Sequence, residues 1–142
     1  MLTPEFPPEK LAKYPHMAPE DLDIWERFLE KYAQHFFGFS YDVKVGTPVE
    51  TSPDWPENIK AMAETLTKKR IDAVGYTAAN IWIFEVKPRA GASAIGQVNS
   101  YVPLFVNEFR PERTVLGAIV TDNEERDMVN LCNFHNIRLI VV

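Results

Sequence analysis

Two apolar segments separated by the short turn 78–80 constrain the fold of this chain more than any other feature. The segments, 70–77 and 80–88, are rich in β-branched and aromatic residues, which is typical of strands. A connection of so few residues joins neighbouring antiparallel strands, so the sequence predicts a β-hairpin. The run "IWIFEVK" in the second strand is apolar but contains two charges at its end, Glu85 and Lys87. Charges are costly in a buried strand, so these residues are candidates for function.

The charged residues of this hairpin are predicted to come together. Side chains alternate along a strand, so Glu85 and Lys87 share a face with Ile81 and Ile83 and lie about 7 Å apart. Because the strands are antiparallel, Asp72 of the first strand lies near Glu85 of the second. Two carboxylates at close quarters repel each other unless a cation lies between them, and an oxygen pair suits Mg²⁺ or Mn²⁺. Lys87, beside such an ion, would be placed to hold a phosphate or an attacking water.

The remaining pattern predicts one α/β domain behind a proline-rich arm. Residues 1–19 hold five prolines and predict an extended N-terminal arm that packs on the body or on a neighbouring subunit. For residues 20–142 we expect a sandwich of helices around one mixed sheet, with parallel strands at its C-terminal end. Besides the hairpin, the predicted elements are helices over 19–36, 92–108 and 123–136, strands over 39–45, 113–122 and 137–142, and a helix or mobile helical insertion over 57–69.

Local patterns add detail to three of these elements. Pro103 should kink or divide the helix over 92–108. Asn123 is placed to cap the helix that follows it. Acidic residues at the start of the first helix suit the positive end of its dipole, namely Glu20, Asp21 and Asp23. Alternating apolar residues of the strand over 39–45 should share one face, namely Phe39, Tyr41, Val43 and Val45.

The composition excludes several classes of protein. The hydrophobic fraction of 46% and the aromatic fraction of 12% are those of a globular chain. No apolar stretch approaches the roughly 20 residues of a membrane-spanning helix, and the N-terminus lacks the apolar centre of a signal peptide. Cys132 is the single cysteine, which argues against a disulfide framework or a cysteine-based zinc cluster, so we expect a cytoplasmic location.

The distribution of charge is uneven along the chain. The formal net charge of −5 argues against a nucleic-acid partner, because proteins that bind nucleic acids usually present a basic surface. The segment 68–113, however, carries a net positive charge, whereas the segments on either side are net negative. The basic segment contains the charged hairpin.

Five positions and the order of elements resemble the PD-(D/E)XK nuclease superfamily, which has the restriction-endonuclease-like fold. The resemblance begins at Asp72 of "RIDAV" and crosses the hairpin to Glu85 and Lys87 of "EVK". It continues on the next helix in "GQVNSY", where Gln97 and Tyr101 match the Gln…Tyr often found in that family. As an order of elements it covers about residues 20–142.

This resemblance implies a metal site and a role for each charged residue of the hairpin. Asp72 and Glu85 would hold Mg²⁺ or Mn²⁺ together with the backbone carbonyl of Val86. Lys87 would orient or activate the attacking water and offset charge in the transition state. Ile71 replaces the proline of the motif's name, which is a common variation.

The resemblance also implies supporting residues outside the metal site. Gln97 would position water or substrate, and Glu26 on the first helix would be a further catalytic acidic residue, with Glu30 behind it. The residues expected to contact the substrate are Lys69, Arg70, Arg89 and Tyr101.

The implied function is that of a magnesium-dependent endonuclease that hydrolyses phosphodiester bonds in DNA. Cleavage would be directed by DNA structure or by a partner, as in small resolvase-like or phage-encoded members. Cutting both strands would require a homodimer, and the N-terminal arm could serve that contact. Three alternatives stay open: a catalytically weak or inactive nuclease-fold module of a virion or complex, RNA as the substrate, and a plain surface ion pair at Glu85 and Lys87.

Overall fold

A five-stranded mixed sheet organises the computed structural model, which describes residues 2–142 except for the side chains of 64–67. The strands lie side by side in chain order: β1 (Gly38–Val45), β2 (Lys69–Tyr76), β3 (Asn80–Val86), β4 (Thr114–Thr121) and β5 (Ile137–Val141). The helices are α1 (Pro19–Tyr32), α2 (Glu57–Thr67), α3 (Ala92–Phe109) and α4 (Met128–Phe134), with a turn of 3₁₀ helix at Ala33–His35. This is the predicted α/β sandwich.

Strand pairing confirms the hairpin and the parallel neighbours expected from the sequence. β2 pairs antiparallel with β1 on one side and with β3 on the other. In the turn between β2 and β3, the N–H of Asn80 donates to the hydroxyl of Thr77 at 3.0 Å. β3, β4 and β5 are parallel neighbours whose crossovers pass through α3 and α4.

Helix α1 covers one face of the sheet through an aromatic cluster. Its first turn begins at Pro19, whose fixed φ suits this position, and its buried stripe includes Trp25 and Phe28. The rings of Trp25 and Phe28 stack at 4.7 Å, and the indole N–H of Trp25 donates to the hydroxyl of Tyr41 at 3.1 Å. Trp82, Phe84 and Val86 of β3 face this cluster, whereas Ile81 and Ile83 face the opposite one, as the alternation predicts.

Helix α3 covers the other face and remains undivided. It runs for 18 residues with Pro103 inside it, so of the two predicted effects the division of the helix is wrong, and the kink stays a prediction. Val98 and Tyr101 before the proline and Phe105 after it are all buried against the sheet. Packing on both sides of the proline therefore holds the two halves in one helix despite the lost backbone hydrogen bond.

Helix α4 begins later than the sequence suggests. The prediction that Asn123 caps a helix over 123–136 is wrong, because α4 starts at Met128 and follows Asp127, which has a φ of 70°. The hydroxyl of Thr121 donates to the carbonyl of Asn123 at 3.1 Å and organises a turn there. Such local side-chain bonds compete with helix formation.

Strand β1 does not keep its apolar residues on one face. Phe39 and Tyr41 belong to the cluster under α1, whereas Val45, with Val43 beside it, belongs to the cluster under α3. Asp42 lies between the two pairs and has a φ of 52°. This left-handed residue reverses the alternation, so the prediction of a single shared face is wrong.

The N-terminal arm lies on the chain's own sheet. Phe6 forms an antiparallel bridge with Phe39, with N–H to carbonyl distances of 2.9 and 3.0 Å. The ring of Tyr14 is buried and meets the ring of Tyr41 edge-on at 5.2 Å. Met1 of the predicted arm lies outside the described residues. Among the helices that the structure describes, none has both the length and the apolar character needed to cross a membrane.

Candidate active site

The hairpin brings the carboxyl groups of Asp72 and Glu85 to one point. The last ladder pair joins Ala73 to Phe84, so the next positions along the two strands are Asp72 and Glu85. The N–H of Val86 donates to Oδ2 of Asp72 at 2.8 Å, which fixes this carboxyl beside the end of β3. Asp72 and Glu85 also lie within hydrogen-bonding reach of each other. The predicted meeting of the two side chains is confirmed.

A local distortion of β1 and β2 interrupts the regular ladder at Asp72. β1 pairs with β2 on either side of Asp42 and Asp72, but these two residues are not paired with each other. On β2, Ile71 packs under α3 while Ala73 packs under α1, although regular alternation would place them on the same face. The reversal at Asp72 matches the one at Asp42. This reversal turns the side chain of Asp72 toward the end of β3.

The two carboxyls lie in an environment that disfavours their charged forms. Glu85 is only 5% exposed, and burial, followed by the neighbouring Asp72, raises its pKa above the ordinary value. Burial also raises the pKa of Asp72, although the bond from the N–H of Val86 opposes the shift. A cation between the two carboxylates would remove most of this penalty.

A third carboxyl group reaches the site from the first turn of α1. The charge of Asp21 contributes to raising the pKa of both Asp72 and Glu85. Partial burial raises the pKa of Asp21 itself, and the ammonium of Lys87 lowers it. The sequence analysis assigned Asp21 only to the helix dipole. Its position four residues before the buried Trp25 was the available signal, since such residues share one side of a helix.

Glu26, the predicted acidic residue of α1, lies elsewhere. Its charge acts on Lys10 and Tyr14 of the N-terminal arm. Glu30 lies on the same side and forms an ion pair with Lys10 at 2.6 Å. The structure therefore does not bring Glu26 to the paired carboxyls, and Asp21 occupies the place expected for it.

Lys87 lies beside the carboxyl groups and remains exposed to solvent. Its ammonium lowers the pKa of Asp72 and Glu85, as expected from a cation nearby. Its backbone N–H donates to the carbonyl of Val120 at 3.0 Å, so β4 supports the end of β3. Two residues later, Arg89 is exposed and has a φ of 45°, and its N–H donates to Asp122 Oδ1 at 2.9 Å.

Helix α3 brings the predicted Gln–Tyr pair toward the site. The ring of Tyr101 is buried, and its pKa is raised to about 12, first by burial and then by the charge of Glu85. The exposed Gln97 donates from Nε2 to the hydroxyl of Tyr101 at 3.4 Å. Tyr101 is therefore the member of this pair that lies next to the carboxyls, with Gln97 one turn earlier.

The predicted phosphate-binding cations differ in their surroundings. Lys69 is exposed at the start of β2. Arg70 forms a 3.7 Å ion pair with Asp42, which also pairs with Lys44 at 3.7 Å. Arg70 is therefore partly neutralised within the chain, whereas Lys69 and Arg89 present their charges to solvent.

The donor set fits a hard divalent cation that keeps part of its hydration. Mg²⁺ typically binds through one or two carboxylates and completes its shell with waters and substrate oxygens. Asp72 and Glu85 offer such a pair, and because burial raises the pKa of both groups, a bound cation would favour their charged forms. Within the described part of the chain, no group of three or more His, Cys, Asp or Glu side chains is arranged as a self-sufficient metal cage.

An apolar cavity lies away from the paired carboxyls. It is a cavity of about 490 Å³ between α1 and β5, and its apolar lining includes Phe28, Tyr32, Trp82 and Ile140. It holds none of the paired acidic groups, so the candidate site remains the end of the hairpin.

Comparison with known proteins gives the fold. No family model matches this sequence, and no curated protein matches it. Among solved structures, the chain is similar to the EndoMS–dsDNA2 complex, with 16% identity, a TM-score of 0.51 and coverage of 94% of this chain and 49% of that one. It is also similar to a repair endonuclease from Pyrococcus abyssi, with 13% identity, a TM-score of 0.52 and coverage of 92% and 49%. The chain therefore spans about half the length of these endonuclease structures and shares their fold.

Proposed function

We propose that this protein is a metal-dependent nuclease that hydrolyses phosphodiester bonds in DNA. The observation that carries the proposal is the meeting of Asp72 and Glu85 at the end of the hairpin, with the ammonium of Lys87 beside them. The arrangement agrees with the resemblance to the PD-(D/E)XK superfamily. The shared fold with two endonuclease structures supports the same assignment.

The hairpin residues would divide the work between metal binding and proton control. Asp72 and Glu85, with the backbone carbonyl of Val86, would hold Mg²⁺ or Mn²⁺. The bound metal would polarise the scissile phosphate and lower the pKa of a water for in-line attack. Lys87 would orient that water and offset negative charge that develops on the phosphate oxygens. The N–H of Val86 keeps Asp72 aimed at the site throughout.

Neighbouring residues would position these groups and the substrate. Asp21 would strengthen cation binding by adding negative charge, in the role that the sequence analysis gave to Glu26. Tyr101 would close the apolar side of the site, with Gln97 placed to hold a water or a substrate oxygen. The exposed cations are suited to contacts with flanking phosphates, namely Lys69 and Arg89, with Arg70 released from Asp42.

A second candidate function is an assembly module with weak or no catalysis. The acidic net charge of −5 and the apolar cavity between α1 and β5 favour it, because both suit a protein partner better than DNA. The buried carboxyl pair favours the nuclease, because burial makes the charged forms of both groups costly and a bound cation would offset that cost.

A cleavage assay separates these functions. Plasmid DNA and branched DNA are incubated with the protein in Mg²⁺ or Mn²⁺, and in excess EDTA, beside the variants Asp72→Ala and Lys87→Ala. The nuclease proposal expects cutting that requires the metal, no detectable cutting by Asp72→Ala, and a loss of about 10²–10³-fold for Lys87→Ala. Glu26→Gln is the matched control, since it removes a charge from α1 away from the site, and it should cut normally.

The opposite result is equally clear. A folded wild type that cuts none of these substrates with either metal, yet elutes with a bound partner, would replace the nuclease with the assembly module. Equal cutting by wild type and Asp72→Ala would assign any activity to another site.

A further inference from the structure

The connection between β3 and α3, residues 87–91, carries Lys87 on a firmly held backbone. We call it the cationic loop. The N–H of Val86, just before the loop, donates to Oδ2 of Asp72 at 2.8 Å. The N–H of Lys87 donates to the carbonyl of Val120 at 3.0 Å. The backbone is therefore fixed where the cationic loop leaves the sheet.

The connection between β4 and α4 holds the other half of the cationic loop through its side chains. The N–H of Arg89 donates to Oδ1 of Asp122 at 2.9 Å. The N–H of Ala90 donates to the hydroxyl of Thr121 at 3.0 Å, and both of these residues are fully buried. Every backbone N–H of the loop up to Ala90 thus has a partner, and two of the partners are side chains of one neighbouring connection.

A close approach at the start of α3 adds a third contact between these two connections. Gly91 precedes α3, and a Cβ at this position would lie only 2.5 Å from Oε2 of Glu125. The absence of a side chain on Gly91 permits this approach. The carboxylate of Glu125 also suits the positive end of the helix dipole. The cationic loop is therefore supported along its length by residues 121–125.

Arg89 adopts a backbone conformation that requires support. Its φ of 45° lies in the left-handed region, which is unfavourable for a residue that has a Cβ. Such conformations persist where the surrounding contacts hold them, and they are found especially at functional sites. Asp122 supplies a contact at the N–H of this residue. It therefore stabilises the turn that the chain makes directly after Lys87.

The ammonium of Lys87 depends on this backbone for its position. Among the described residues, none forms an ion pair with it. Burial raises the pKa of three carboxyl groups, and the charge of Lys87 opposes that rise at each of them, namely Asp21, Asp72 and Glu85. The ammonium thus lies near these groups at the end of a flexible stem, and the backbone sets where the stem begins.

We propose that Asp122 is a positioning residue for Lys87: by binding the N–H of Arg89, its carboxylate fixes the cationic loop and keeps the ammonium beside the paired carboxyls. The inference rests on the proposed nuclease function and names a residue that supports its site. Because Asp122 acts through Lys87, its loss should slow the cutting step more than it weakens DNA binding. Asparagine keeps an acceptor at Oδ1, so it should replace Asp122, whereas alanine should not.

The first test measures kcat and KM on the DNA that wild type cuts, for wild type, Asp122→Ala and Asp122→Asn. We expect Asp122→Ala to lower kcat by roughly tenfold while KM stays within about twofold, because the catalytic group is misplaced but the DNA contacts remain. Asp122→Asn should stay within about twofold of wild type in both constants. If Asp122→Ala does not fold, Asp122→Glu replaces it, since this variant keeps the charge but moves the acceptor by one methylene.

A double-mutant cycle shows whether Asp122 acts through Lys87. Asp122→Ala is combined with Lys87→Ala, and all rates are measured in single turnovers with excess protein, because Lys87→Ala cuts slowly. If Asp122 acts through the ammonium, the second substitution should lower the rate by less than about twofold in the Lys87→Ala background. A residue that supports the site in general would lower the rate by the same factor in both backgrounds.

Glu124→Ala is the matched control. It removes a carboxylate from the same connection, and within the described chain the exposed side chain of Glu124 forms no hydrogen bond or ion pair. It should cut like wild type. Melting temperatures of Glu124→Ala and of the Asp122 variants should stay close to that of wild type, since both positions are exposed.

The outcomes distinguish this inference from the nuclease proposal. If wild type cuts and Asp122→Ala has the same kcat, the nuclease stands and the inference is wrong. Equal factors in the two backgrounds, or an equal loss in Asp122→Asn, would also overturn it. A higher KM with unchanged kcat would assign Asp122 to DNA binding through Arg89 instead of to Lys87. If wild type cuts no DNA, both proposals fail together.

Discussion

Asp42 and Asp72 lie opposite each other on β1 and β2, but their carboxyl groups have different neighbours. Asp42 lies between Lys44 and Arg70, each at 3.7 Å, so the protein supplies the cations itself. Asp72 lies against a second carboxyl, Glu85, with the exposed Lys87 beside them. The difference indicates which carboxyl groups are candidates for binding a metal ion. One carboxylate is paired with cations of the fold, whereas burial raises the pKa of both members of the other pair, and the proposed metal would favour their charged forms.

The largest expected difference between the two regions is in metal affinity. Glu85→Gln or Asp72→Asn should weaken Mn²⁺ binding by more than about 100-fold, because each removes a charged oxygen ligand. Asp42→Asn should leave Mn²⁺ binding unchanged, because that carboxylate is already paired. Titration calorimetry of the three variants measures this contrast directly, and equal weakening by Asp42→Asn would place the metal at the other carboxylate.

The next effect concerns the pH dependence of stability in the metal-free protein. The pKa of Glu85 rises from an ordinary 4.5 to about 9 on folding. A carboxyl whose pKa is raised contributes stability that is fully present below its unfolded pKa and is lost as the pH rises through the folded value. Unfolding free energy in EDTA should therefore fall between about pH 5 and pH 9, by up to a few kcal/mol.

Glu85→Gln sharpens this comparison because glutamine cannot lose a proton. Its stability in EDTA should be nearly flat over the same pH range, and above pH 8 it should exceed that of wild type. Urea melts at several pH values measure both proteins. A wild type that gains stability as the pH rises from 5 to 9 would contradict the interpretation of a destabilised carboxyl pair.

A smaller effect is expected at Asp42, where the backbone is left-handed. Asp42→Ala should lower the free energy of unfolding by about 1–2 kcal/mol. Alanine adopts a φ of 52° poorly, and the substitution removes both ion pairs. Asp42→Asn should cost less, since asparagine adopts this conformation readily. Chemical denaturation of the two variants tests the order, and equal losses would show that the charge alone matters.

The smallest effect separates the two acidic residues of α1. Asp21→Asn should weaken Mn²⁺ binding by about tenfold or less, because Asp21 acts on the carboxyl pair through its charge. Glu26→Gln should change the affinity by less than the error of the measurement. Titration of both variants with Mn²⁺ measures the two affinities. A larger effect from Glu26→Gln than from Asp21→Asn would return the supporting acidic role to Glu26, as the sequence predicted.

Much of the site could be predicted because it depends on local connections. A short turn sets the register of a hairpin, so the meeting of Asp72 and Glu85 follows from counting residues back from the turn. The strand periodicity similarly placed Ile81 and Ile83 on the face opposite Trp82 and Phe84.

Other features could not be derived from local pattern. The contribution of Asp21 depends on where α1 crosses the sheet, which the aromatic cluster around Trp25 decides. The reversed faces of β1 depend on the left-handed backbone of Asp42. The late start of α4 depends on the turn that Thr121 forms with Asn123. Each of these rests on an interaction that competes with the average preference of its residues.

The sequence by itself determined the order of elements, the hairpin and the identity of the two carboxyls at its end, because these depend on periodicity and on neighbours along the chain. Only the tertiary structure decided which distant groups surround those carboxyls: Asp21 from α1 and Tyr101 from α3. The physical reason is that burial and charge act through space, so the environment of a carboxyl is set by packing between elements far apart in sequence.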